Sequence, residues 1–121
     1  MKVGLPAVIA LFAVSIVSLS VANVLLKIAM VPAAESTYAA GFRTAALVGG
    51  MVLMIAQFAG MLLLEHWGLD VSVVVPVFGL NFALTALLGA LWLGEPVGGL
   101  RWAGIAAVTV GVYLIARSSV Q

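Results

Sequence analysis

Charge is what this chain has least of. Five Lys and Arg and four Asp and Glu among 121 residues amount to 7%, where a water-facing domain carries about 25%. Such a chain cannot clothe itself for water. Cysteine is absent, which removes disulfides and thiolate metal sites and leaves the redox compartment open. One histidine and four carboxylates make no persuasive metal cluster and no nucleophile–base–acid set. Neither an enzyme nor a bound metal or cofactor is expected. A net charge of +1 offers no basic field for nucleic acid, and no polybasic stretch marks anionic lipid.

What the chain does have is hydrocarbon: 65% hydrophobic residues and a mean hydropathy of +1.33. The length allows one domain, and the apolar excess puts that domain in lipid. The rare charges act as fences. Lys2 to Lys27 encloses 24 uncharged residues, Arg43 to Glu65 encloses 21 and Asp70 to Glu95 encloses 24. A bilayer core about 30 Å thick needs roughly 20 helical residues. Arg101 to Arg117 encloses only 15. Long arginine side chains reach the interface from slightly inside it, and Leu100, Trp102 and Val120 extend the apolar run. Four spans are expected, at about 4–29, 43–65, 71–93 and 100–117, within one transmembrane domain covering 1–121. Helices satisfy their own backbone in lipid, and these continuous apolar runs lack the alternation of barrel strands. The expected fold is an all-α bundle of four transmembrane helices.

Polar and turn-forming stretches at 31–37, 66–70 and 94–99 connect the spans. Trp92 and Trp102 flank the last turn and Trp67 marks the opposite side, as headgroup-level rings do. Lys2 with Ser20-Val21-Ala22 imitates a secretory signal. The apolar run is longer than a signal core and leads into a polar segment, so it reads as a retained span. Orientation is nearly balanced. Lys2 and Arg117 stand on one side, and Lys27, Arg43 and Arg101 on the other. This weakly favours the 31–42 and 94–99 loops in the cytoplasm. An antiparallel dimer and a single topology fixed by a partner are both compatible with that balance.

Polar side chains inside spans usually face the bundle or a cavity. Ser20, Asn23 and Lys27, three and four apart, share one face of the first span. Lys27 is placed to hold an anion such as a phosphate headgroup, or to reach the interface from the helix end. In the third span, Pro76 deprives the Ser72 carbonyl of its partner, and such a kink can line a cavity. Asn81, near mid-span, needs a partner, which Asn23 or Gln57 can supply. Glu65 beside His66 is the most acid–base-like pair and the candidate for proton coupling, although both fall at a helix end. Asp70 reads as a helix N-cap and Glu95, before Pro96, as a loop or cap residue. Small residues four apart, such as Ala56/Gly60, Thr85/Gly89 and Ala107/Gly111, let helices approach closely. Gly104 and Gly111, seven apart on the last span, mark a face for a second copy.

The segments Ser20–Lys27, Val75-Pro76-Val77-Phe78-Gly79-Leu80-Asn81-Phe82, Leu91-Trp92-Leu93-Gly94-Glu95-Pro96-Val97 and Arg101-Trp102-Ala103-Gly104 resemble the drug/metabolite transporter superfamily. The likeness is to its four-span small multidrug resistance-like members and covers about half the chain. Within that group the closest similarity is to EamA-like subunits that flip aminoarabinose-linked undecaprenyl phosphate. The matching residues are Pro76, Leu80-Asn81-Phe82, Glu95-Pro96-Val97 and a lysine closing span one, Lys27. The resemblance implies a dimeric bundle in the bacterial inner membrane. Its partner would be an identical or similar subunit, and its substrate a lipid or lipid-linked sugar held by Lys27, Asn23, Ser20, Asn81 and Pro76. One departure matters. Where proton-coupled drug exporters of this kind carry a span-one glutamate two turns before the lysine, this chain has Leu19. That favours lipid-linked substrates or an accessory subunit over antiport of cationic drugs, and a flippase-type subunit is the expectation carried forward. A proton-coupled small-solute exporter using Glu65 or His66, and a non-transporting accessory subunit, are the alternatives.

Overall fold

The structure, a computed structural model, describes residues 3–119. Lys2 and Val120, used above as a fence and as an apolar extension, lie outside the described residues. Helix α1 spans Leu5–Met30, α2 Ala40–His66 and α3 Val71–Val77. A 3₁₀ turn at Phe78–Leu80 leads into α4, Asn81–Trp92, and α5 spans Gly99–Ser118. The α3–turn–α4 segment makes one 22-residue passage, so four helical passages are long and apolar enough to cross a membrane. The described residues are all-helical, as the fold class expected from sequence requires. The last passage is 20 residues long because Arg101 and Arg117 fall inside its first and last turns rather than outside them.

Each helix end has a local cause. Pro6 stands in the first turn of α1, where its missing N–H costs nothing. Val31, held extended at ψ 132° before Pro32, ends that helix because a residue preceding proline is driven out of the α region. After α2, Gly68 adopts φ +99°. Its N–H returns to the Glu65 carbonyl and that of Leu69 to the Leu64 carbonyl, a Schellman closure that glycine's left-handed backbone permits. Asp70 stands at the N-cap of α3 without a side-chain capping bond. Its backbone carbonyl does the work instead, accepting from Val73 and Val74.

Helix α1 lies at the centre and packs along the length of α2 and against α4, while α5 rests on α3, the 3₁₀ turn and α4. Close approach of α1 and α2 depends on two glycines. A Cβ on Gly60 would overlap the Ser15 side chain, and one on Gly50 would stand 2.8 Å from a Leu26 side-chain carbon. Val8, Ile16, Leu64, Val74, Val77, Phe78 and Val112 form one buried cluster, with Phe12 meeting Phe78 edge-on at 5.9 Å. Val24, Ile28 and Ala46 form a second, toward the other end. Large apolar side chains elsewhere point outward, Ile55 at 69% exposure and Leu100 at 90%. Hydrocarbon tolerates that surface where water would not. Helix α5 is the extreme case, with Val112 its one buried residue among those described. Gly104 and Gly111, expected on a dimer face, have open space where a Cβ would go.

Replacing Gly60 by valine forces α1 and α2 apart. Unfolding in mixed detergent micelles is expected to show a loss of about 1–3 kcal/mol. The same change at Gly104, where nothing is within 4 Å, is expected to stay within about 0.5 kcal/mol under conditions where the protein is monomeric.

Candidate functional site

The antiparallel passages sort the polar residues into two ends. Lys27, the 31–38 loop, Trp92 and Glu95 line one cavity together. Leu5, Leu69 and Ser119 converge on a pocket at the opposite end, and Glu65 and His66 belong to that second end, where α2 closes. The structure therefore separates Glu65 from Lys27 by the length of the bundle.

At the Lys27 end, Asn81 is the hub. Proline at 76 interrupts the regular ladder, and the chain tightens into the 3₁₀ turn before α4. The Phe78 carbonyl receives both the backbone N–H of Asn81 and its side-chain amide, the latter at 2.7 Å. The Asn81 carboxamide oxygen then accepts from Asn23 Nδ2 at 3.4 Å and from Thr85 Oγ1 at 3.5 Å. Of the two partners foreseen, Asn23 makes this bond. Gln57 is buried instead in the groove below, its Oε1 unpaired. Interhelical polar contacts of this kind fix register in lipid.

Two adjoining cavities open on this network. One, of about 310 Å³, is lined by Asn23, Lys27, Thr85, Gly89 and Glu95 among others. The other, of about 340 Å³, is lined by Asn23, Asn81, Thr85, Glu95 and Arg101 among others. A third, of about 290 Å³, adds Tyr38 and Trp92 around Lys27 and Glu95, Tyr38 being stacked on Phe42. Beyond Asn81 and Phe82 the bay continues into an apolar groove of about 590 Å³ between α2, α3 and α5. Its lining is apolar apart from Gln57 and Asn81, and it includes Pro76 and Gly111.

Asn23 thus lines one cavity with Lys27 and the adjoining one with Asn81, and Pro76 lies in the groove. Ser20 is not with them. It shares the helix face of Asn23 but is fully buried with an unpaired Oγ, and it is absent from the residues lining the bay. Glu95 and Arg101 were not legible as site residues. Gly94, at φ +68°, turns the chain so that the Glu95 N–H reaches back to the Gly89 carbonyl at 3.1 Å. Its carboxylate then lies over Gly89, 3.2 Å from where a Cβ would be. The sequence signal was present in the glycine pair 89 and 94 that brackets this turn.

Arg43 acts differently from Lys27. Its guanidinium donates to the Ala29 carbonyl at 3.2 Å and to the Val31 carbonyl, closing the C-terminus of α1.

A double-mutant cycle on Asn23→Ala and Asn81→Ala is expected to give a coupling of about 0.5–1.5 kcal/mol in mixed-micelle unfolding. Asn81→Ala is expected to be the costlier single change, because it also strands Thr85.

No family model matches the chain, and no solved structure matches it. Curated relatives do, over part of their length. A protein of Pseudomonas savastanoi pv. phaseolicola, described as a probable 4-amino-4-deoxy-L-arabinose-phosphoundecaprenol flippase subunit ArnE, is 41% identical over 51 residues, 42% of this chain and 45% of that protein. Its counterpart from Pseudomonas syringae pv. syringae is 41% identical over 51 residues, 42% of this chain and 47% of that protein. One from Pectobacterium atrosepticum, described in the same words, is 33% identical over 69 residues, 57% of this chain and 59% of that protein. The chain spans about half the length of the curated relatives it matches. What stands is a multi-pass membrane protein similar, over that part, to subunits named as flippases.

Proposed function

We propose that the chain is a subunit that moves a polyprenyl-phosphate-linked sugar, or a similar amphipathic lipid, across the bacterial inner membrane. One observation carries the reading: the cavity lined by Lys27 adjoins, through Asn23, Thr85 and Glu95, a second polar cavity, and that one shares Asn81 and Phe82 with an apolar groove. An amphipathic lipid needs both surfaces at once. Its anionic headgroup requires a cation and hydrogen-bond donors out of bulk lipid, while its tail requires continuous hydrocarbon. Lys27, Asn23 and Asn81 serve the headgroup, with Thr85 beside them. Pro76 and the apolar residues around it serve the first part of the tail. The partial similarity to relatives named as subunits of an aminoarabinose-phosphoundecaprenol flippase points the same way. A subunit implies a second chain, identical or similar, and the outward face of α5 with Gly104 and Gly111 is the surface we assign to it.

Proton coupling through Glu65 has less support, because that carboxylate lies at the end of α2 away from the bay. In reconstituted vesicles, Lys27→Ala is expected to lower headgroup transfer about 10- to 100-fold, the worth of a charge-assisted contact. Lys27→Arg should retain part of it and Glu65→Gln all of it. Wild-type transfer by Lys27→Ala removes Lys27 from the mechanism.

A further inference from the structure

The buried positions of α2 are Ala46, Gly50, Gln57, Gly60 and Leu64, and Gln57 is the one long polar side chain among them. It is 3% exposed, and its Oε1 meets no hydrogen-bond partner. A methionine of nearly the same length would fill that place without burying a polar group, whereas a carboxamide left unpaired away from water is costly. Ser20, whose Oγ is also unpaired, is a different case. It lines neither the groove nor the bay, and a helical serine can turn its hydroxyl onto the carbonyl four residues back. Gln57 lines the apolar groove of about 590 Å³. Its last torsion is soft and roughly two-fold, so either end of the amide can be brought to that space.

The chemistry of an occupant follows from the lining. Among the described residues no charged side chain lines the groove, so an ionised group there would lack a counter-charge in a low-dielectric setting. Asn81 is the other polar residue of the lining, and it is already engaged at both ends: its amide donates to the Phe78 carbonyl, and its oxygen accepts from Asn23 and Thr85. One free carboxamide remains. Water matches it poorly, because a buried water takes about three hydrogen bonds and the groove offers a single partner. A plain hydrocarbon tail fills the space and leaves Gln57 unpaired. We infer that the groove is a binding site for a neutral, apolar molecule bearing one hydroxyl. A hydroxyl both donates and accepts, so it pairs with whichever end of the Gln57 amide meets it, while the body of the molecule packs on Phe58, Phe82 and Val108. The volume is that of a small-molecule site. The site is distinct from the headgroup contacts of the proposed function, and its occupant stands where a substrate's tail would lie.

The test uses the chain in lipid vesicles with a medium-chain alkanol carrying an aliphatic diazirine, beside the alkane in which a methyl group replaces the hydroxyl. The two are compared at equal concentration in the membrane, and the labelled residues are located by mass spectrometry. Groove residues such as Phe82 and Val108 are expected to label saturably, and about three- to tenfold more with the alkanol, the scale of one neutral hydrogen bond. Gln57→Met should bring the alkanol down to the level of the alkane, and Gln57→Asn, which keeps a carboxamide, should retain part of the preference. Val108→Trp fills the groove and leaves Gln57 in place. It should lower labelling by both probes, which keeps the inference testable if Gln57→Met does not fold. Equal labelling by the two probes in the wild type overturns the inference, as does a preference that survives Gln57→Met or groove labelling that Val108→Trp does not reduce. Occupancy rather than transfer is measured, so each of these failures leaves the transport reading standing, and loss of headgroup transfer leaves the alcohol site standing.

Discussion

In hydrocarbon a peptide group has no solvent to fall back on, and an amide or carbonyl left unpaired there costs several kcal/mol. That constraint explains why the membrane-length passages are helical and why the one irregularity within them is informative. Within the four passages the chain leaves regular α-helix at one place, after Pro76, and there a side chain adds its own bonds to the backbone. The Phe78 carbonyl takes two donors from Asn81, whose own oxygen takes Asn23 and Thr85. Proline opens the ladder, and one turn later asparagine pins the 3₁₀ turn and reaches across to α1. Because the same carboxamide bonds the 3₁₀ turn and joins two helices, the break cannot drift along the passage without uncoupling α4 from α1.

The architecture was legible because charge is so scarce. Nine formal charges leave few ways to divide the chain, and each uncharged run is long enough to be only one thing. What the fences blurred was their own depth. Arg101 and Arg117 stand within the turns of α5, since a long side chain can put its charge in the interface while its Cα stays in the helix. Contacts between helices were less legible. Small residues spaced by four are abundant in a sequence of this composition, so spacing alone could not separate Gly60, which Ser15 fills, from Gly104, which faces open space. Gly50 is pressed most closely by Leu26 after Gly60, and it belonged to none of the spacings considered.

Within the site, the residues on one helix were the readable ones. Helical periodicity put Asn23 and Lys27 on a common face, and the need of a buried carboxamide for a partner tied Asn81 to Asn23. Ser20 shows the limit of that reasoning. It lies on the same face, yet the bundle closes over it, because one turn deeper α1 is already covered by its neighbours. Glu95 escaped for the opposite reason. Its position follows from a turn rather than a period, and the direction of that turn depends on Gly94 taking a positive φ and Gly89 having no side chain.

The two cations nearest the end of α1 illustrate how the same charge is put to different ends. The terminal carbonyls of a helix are its negative pole and attract any cation within a turn. Arg43, arriving from α2, satisfies that pole: one guanidinium nitrogen, Nη2, donates to both the Ala29 and the Val31 carbonyls. The Lys27 side chain lines two of the cavities at this end. A single arginine thus closes the end of the helix that carries the lysine, while the lysine side chain turns to the cavities beside it, so two like charges less than a turn from the same helix end have different surroundings.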